Sequence, residues 1–123
     1  MGSERAVPTI LIIDDEPSIT DVVAEVLTDE GYETLIASGG RDALHMLAEC
    51  RPDLMLLDLF MPEMSGLDLL AQLQADERLA SIPVVMMTAG AMANLSFGHG
   101  GPTQVIAKPF DVEDLLATVR TLV

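Results

Sequence analysis

Short unbroken apolar runs alternate along this chain with longer stretches in which apolar residues return every three or four positions. Ile10 to Ile13, Leu54 to Leu57 and Val84 to Met87 have no polar interruption, the pattern of strands buried on both faces of a parallel sheet. With two weaker runs they predict strands at 9–13, 33–37, 54–58, 83–87 and 104–107. Between the first two, Ile19, Val22, Val23, Val26 and Leu27 repeat at helical spacing. Pro17 suits the first helical position and Gly31 the left-handed residue after the last.

A second helix is expected from Ser38 and the following glycines through Leu44 and Leu47, stopped by Pro52, and Ser65 with Asp68 resembles a capping box for a third. In the last helix Asp111, Glu113 and Asp114 crowd the start, where negative charge is favoured. Its buried stripe is predicted as Val112, Leu115, Leu116, Val119, Leu122 and Val123. Gly90, Gly98, Gly100, Gly101 and Pro102 leave room between strands four and five for only a short or mobile fourth helix, around Ala91 to Phe97. Five rounds of β-α alternation predict an α/β, doubly wound, five-stranded parallel sheet with helices on both faces.

At 123 residues the chain fits one domain with an apolar half large enough for a core. That domain is expected over 8–123, preceded by a flexible N-terminal segment at 1–7. A formal charge of -14 and the lack of any basic cluster argue against direct nucleic-acid or anionic-membrane binding. No apolar run approaches the roughly 20 residues of a membrane span, and no leader pattern opens the chain, so the expected location is cytoplasmic. The single Cys50 excludes an internal disulfide. His45 and His99 have no second ligand at metal spacing, and Gly98 to Gly101 lacks the lysine and hydroxyl of a phosphate-binding loop.

The chemistry gathers where strands end. Asp14, Asp15 and Glu16 follow the first run, Asp58 the third, Thr88 the fourth and Lys108 the fifth, so all emerge at the carboxyl rim of the sheet, where open α/β sheets place their sites. Asp58 can act as a nucleophile toward a phosphoryl group, once two anions are brought together. Mg²⁺ held by Asp14, Asp15 and Asp58 would supply that attraction. The acid pair and a phosphoryl of about two charges sum to roughly -4, offset by the metal and Lys108. The Thr88 hydroxyl could donate to a phosphoryl oxygen, with the small Ala89 leaving the approach open, and its inward turn would reset the following segment.

These residues, with Met61-Pro62 and Gly66 after the acceptor and Lys108-Pro109-Phe110, make the chain resemble the receiver domain of bacterial two-component response regulators, the CheY-like family, over about residues 8 to 123. The resemblance implies a flavodoxin-like three-layer sandwich with strand order 2-1-3-4-5. It implies a phosphorelay switch in which Asp58 takes phosphate from a sensor histidine kinase or phosphotransfer protein. Asp14 and Asp15 would ligate Mg²⁺ with Asp58 and the backbone carbonyl of Phe60, while Thr88, Ala89 and Lys108 form the phosphoryl pocket. It further implies a cis bond before Pro109, a downstream protein target, and homodimer formation through the face of the fourth helix, fifth strand and last helix.

Three departures from the family pattern stand out. Val105 occupies the position where relatives carry the switch aromatic. Phe60 and Gly90 replace residues often polar in relatives, which predicts slow hydrolysis of the aspartyl phosphate because neither orients water. An aspartate-based phosphohydrolase would share the nucleophile and Mg²⁺ but places a second Asp where Phe60 stands. A phosphorylation-independent interaction module of the same fold is favoured by Val105 and opposed by the intact set of Asp14, Asp15, Asp58, Thr88 and Lys108.

Overall fold

The computed structural model describes residues 7–89 and 102–123. The chain runs β1 (Thr9–Ile13), α1 (Pro17–Asp29), β2 (Glu33–Ala37), α2 (Gly40–Leu47), β3 (Leu54–Asp58), α3 (Gly66–Ala75), β4 (Val84–Ala89), β5 (Gln104–Lys108) and α4 (Val112–Leu122). The expected short helix around 91–97 and the N-terminal residues 1–6 lie outside the described residues. The five strands form one parallel sheet in the order β2-β1-β3-β4-β5.

The two faces of the sheet bury alternate residues of the same strands. Leu11, Ile13, Met55, Leu57 and Met86 meet α2 and α3, whereas Ile10, Ile12, Leu54, Leu56 and Met87 meet α1 and α4. An unbroken apolar run is therefore required in the central strands, each buried Leu, Ile or Met contributing roughly 1.5–3 kcal/mol. Strand β2 stands at an edge, and its Ile36 is exposed.

Several expected details shift. β4 extends two residues past the apolar run, because Thr88 and Ala89 remain paired with Ala107 and Lys108. α2 ends at Leu47, well before Pro52, with Ala48 as its cap. In α1, Val22 faces solvent at 55% exposure while Thr20, Val23 and Leu27 are buried. A helix lying on a sheet buries a narrow stripe, and Val22 falls outside it. For the same reason Val112 and Val123 are exposed at the ends of α4, whose contact is made by Leu115, Leu116, Thr118 and Val119.

The local signals at helix ends have clear physical counterparts. Pro17 occupies the first turn of α1, Gly31 takes a φ of 97° after it, and Ser65 Oγ accepts from the Asp68 amide at 3.1 Å. Away from the carboxyl rim, Arg51 reaches the Arg78 carbonyl at 3.1 Å and Ser81 Oγ at 2.9 Å, while Arg78 donates to the Leu47 carbonyl. These contacts tie the end of α2 to the segment between α3 and β4.

Candidate phosphoacceptor site

β1 and β3 are adjacent, and their register pairs Ile13 with Leu57. One residue further along each strand, Asp14 and Asp58 come side by side at the rim, both almost fully buried. Asp15 is exposed at the turn. Oxygen atoms of Asp14, Asp15 and Asp58 lie within 4.8 Å of one another. Asp14 is fixed by accepting the Glu16 amide at 3.0 Å, while its own amide donates to the Ala37 carbonyl at 3.2 Å.

Lys108, the last residue of β5, bends over this cluster. Its Nζ donates to Asp14 Oδ2 at 2.8 Å and to Asp58 Oδ1 at 3.3 Å, with Glu16 Oε1 at 4.0 Å. Burial, reinforced by the charge of Asp14, pushes the Asp58 carboxyl up from 3.8 to about 6, against the pull of Lys108 and the Phe60 amide. For Lys108, burial works to lower the pKa, but hydrogen bonds and charge from Asp14 and Asp58 outweigh it and hold the ammonium above its ordinary value. One cation thus faces a set of carboxylates that it cannot neutralise alone.

Thr88 is wholly buried, and its Oγ1 has no hydrogen-bond partner among the described residues. A buried hydroxyl left unpaired is costly, so this group, one residue past Met87, the register partner of Asp58, suits an incoming acceptor oxygen. Glu16, Ile19, Phe60, Ala89 and Pro109 line an open cleft of about 390 Å³ over Asp58 and Lys108. The Lys108-Pro109 peptide is cis. Val105 is half-buried against the core beside Met86.

The loop after Asp58 is held by close backbone approach. A Cβ on Gly66 would lie 2.4 Å from the Asp58 carbonyl oxygen and 2.9 Å from Leu59 Cα. The Gly66 amide donates to the Leu59 carbonyl at 2.8 Å. On the outer side of the loop, Met64 lies against Gly40 so closely that a Cβ there would meet its sulfur at 2.5 Å. Sequence reasoning had no signal for that second contact, nor for the approach of the Glu16 side chain to Lys108.

The model of the response regulator receiver domain matches residues 10–120. The chain belongs to the response regulator receiver domain family. This receiver domain is 42% identical over 117 residues to the DNA-binding dual master transcriptional regulator RpaA of a Synechocystis strain, covering 94% of this chain and 48% of the relative. It is 39% identical over 113 residues to the DNA-binding response regulator MtrA of Mycolicibacterium smegmatis, covering 90% and 48%. The receiver domain therefore spans about half the length of these curated relatives. Among solved structures, a putative response regulator from Chloroflexus aurantiacus superposes with a TM-score of 0.89 at 27% identity, covering 95% of this chain and 98% of that one. Chemotaxis response regulator CheY4 of Vibrio cholerae gives 0.88 at 29%, covering 96% and 100%. Among the described residues, no helix is long and apolar enough to cross a membrane.

Proposed function

We propose that this receiver domain is the phosphoacceptor switch of a two-component phosphorelay and that Asp58 is the acceptor. The observation that carries the reading is a Lys108 ammonium bridging Asp14 and Asp58, together with a buried Thr88 hydroxyl that has no partner among the described residues and stands one position past the register partner of Asp58. An Asp58 carboxylate oxygen forms a bond to phosphorus as the bond from phosphorus to the donor imidazole nitrogen of a histidine kinase or phosphotransfer protein breaks, and the imidazole leaves. Lys108 and the Thr88 hydroxyl then receive the phosphoryl oxygens, and the exposed Ala89 keeps the approach clear. The domain promotes this transfer to itself and is not a turnover enzyme.

Asp14, Asp15 and Asp58, with the Phe60 carbonyl, are the residues that would hold Mg²⁺. The closeness of three carboxylates supports this, since hard oxygen ligands suit that ion. When bound, Mg²⁺ would neutralise charge that otherwise keeps donor and acceptor apart. Thr88 would be the switch element, passing the change to the residues after β4 and from there to a protein target. With Val105 in place of an aromatic, that coupling would run without a ring on β5.

DNA binding is part of the names of relatives about twice this length. Nothing basic on this chain favours direct nucleic-acid contact, so the partners proposed are proteins. Intact mass after incubation with a small phosphodonor and Mg²⁺ tests the acceptor. One phosphoryl adduct on the wild type, absent without metal and in Asp58→Asn, is expected; a wild type that binds Mg²⁺ but gains no adduct from either a small donor or a kinase would support the interaction module instead.

A further inference from the structure

Glu16 belongs to the acidic run that opens the site, yet it is outside the set of carboxylates close enough to share one ion. Its backbone is built into the start of α1, where its carbonyl accepts from the Ile19 and Thr20 amides at 3.0 and 3.1 Å. Its side chain is exposed and lines the mouth of the acceptor cleft, 4.0 Å from Lys108 Nζ. Lys108 in turn lies 3.3 Å from Asp58. The Glu16 carboxylate is therefore no more than about 7 Å from the acceptor oxygen, inside the screening length of roughly 8–10 Å at ordinary salt. Of the other residues lining the cleft, Ile19, Phe60, Ala89 and Pro109 carry no charge, and Lys108 is the one cation among them.

We propose that Glu16 is a specificity-determining residue of the acceptor cleft, whose carboxylate draws the divalent cation in and holds small anionic phosphodonors off. Transfer from a docked protein then prevails, because contacts elsewhere on its surface offset the local repulsion. The inference rests on the acceptor reading of Asp58. At this separation in a water-exposed cleft, each unit of charge on the entering species changes its affinity by about threefold. The sign is opposite for a cation and an anion.

The test compares wild type, Glu16→Gln and Glu16→Asp in two assays at low and high salt. Mg²⁺ affinity is measured by titration calorimetry, and adduct formation from acetyl phosphate is followed by intact mass. In the second assay the bond from phosphorus to the acetate oxygen breaks as the Asp58 oxygen bonds to phosphorus, and acetate leaves. Glu16→Gln is expected to bind Mg²⁺ roughly five- to tenfold more weakly. At saturating Mg²⁺ it should take phosphoryl from the dianionic donor faster by a similar factor. Both effects should shrink in 1 M salt, and Glu16→Asp should stay near wild type. Unchanged values, or both falling together as a structural defect would cause, overturn the proposal. A wild type that binds Mg²⁺ without ever gaining an adduct instead counts against Asp58 as acceptor, so the two failures are distinguishable.

Discussion

Lys108 and Asp14, 94 positions apart in the chain, meet at 2.8 Å, closer than Lys108 comes to Asp58. The ammonium thus sits on a carboxylate that Mg²⁺ would also need. On the proposed reading lysine and metal would compete in the resting protein and cooperate once a phosphoryl group gives Lys108 an anion besides these carboxylates.

Lys108→Met separates those roles. Mg²⁺ affinity of the unphosphorylated protein should rise severalfold, since a competing cation is gone, while accumulation of the aspartyl phosphate falls. Calorimetric titration with Mg²⁺ and intact-mass measurement check the two halves. A lysine contributing only to the fold would lower both.

Asp58 sets a pH dependence. Its carboxyl titrates near 6 in the fold and near 3.8 when unfolded, so between those values the folded state binds more protons than the unfolded one. The contribution of this group to stability is thus present below about pH 4 and lost as pH rises through about 6. In metal-free protein, denaturant titrations should show Asp58→Asn gaining on the wild type as pH climbs across that window. The raised Lys108 pKa acts elsewhere: its stabilisation is fully present below the ordinary lysine value of 10.5 and lost only above the folded one.

Thr88→Val should separate stability from signalling. Replacing a buried, unpaired hydroxyl by a methyl group is expected to stabilise the resting domain by about 0.5–1.5 kcal/mol. The same change would remove the proposed donor to the phosphoryl group and should blunt the structural response to a phosphoryl analogue such as beryllofluoride, read by amide chemical shifts. A destabilised Thr88→Val would mean that the hydroxyl is paired in solution.

Gly66→Ala places a methyl group where the Asp58 carbonyl and Leu59 already lie. The backbone must retreat at both, so a loss of roughly 2–3 kcal/mol is expected. Because the displaced segment carries Asp58 and the Phe60 carbonyl, both proposed to hold Mg²⁺, affinity for that ion should fall as well. Urea denaturation together with metal titration would register both.

Phe60 is 59% exposed at the mouth of the cleft, large and without a polar atom to hold water over phosphorus. Phe60→Asn should therefore lose phosphate from Asp58 faster than the wild type, by severalfold. Time courses of the intact-mass adduct decide it, and faster loss from the wild type would reverse the assignment.

Hydropathy carried the central strands because both of their faces are covered, so every residue of Ile10 to Ile13 had to be apolar. It could not show that β4 continues through Thr88 and Ala89, since pairing with Ala107 and Lys108 is made by backbone groups that no side-chain pattern records. Val22 repeats at helical spacing and still faces water, because spacing gives a periodicity without the width of the contact. For the site, strand ends were enough to bring Asp14, Asp58, Thr88 and Lys108 to one rim. The lean of Lys108 toward Asp14, the orphaned Thr88 hydroxyl and the Met64 contact with Gly40 depend on rotamers and loop paths, which are settled only when the elements pack.

The register that joins β1 to β3 also fixes how the site can respond. Asp58 ends β3 and Asp14 directly follows β1, neighbouring central strands locked by a parallel ladder and buried under helices on both sides. Their repulsion cannot relax by separation, as it would between acids on flexible loops. Beyond the hold of Lys108 and protonation of Asp58, it is relieved by arriving charge. A cation alone leaves the Thr88 hydroxyl unanswered, and a phosphoryl group alone adds to the negative excess. On the proposed reading the domain would work as a coincidence detector, stable in its altered state only while both inputs are present.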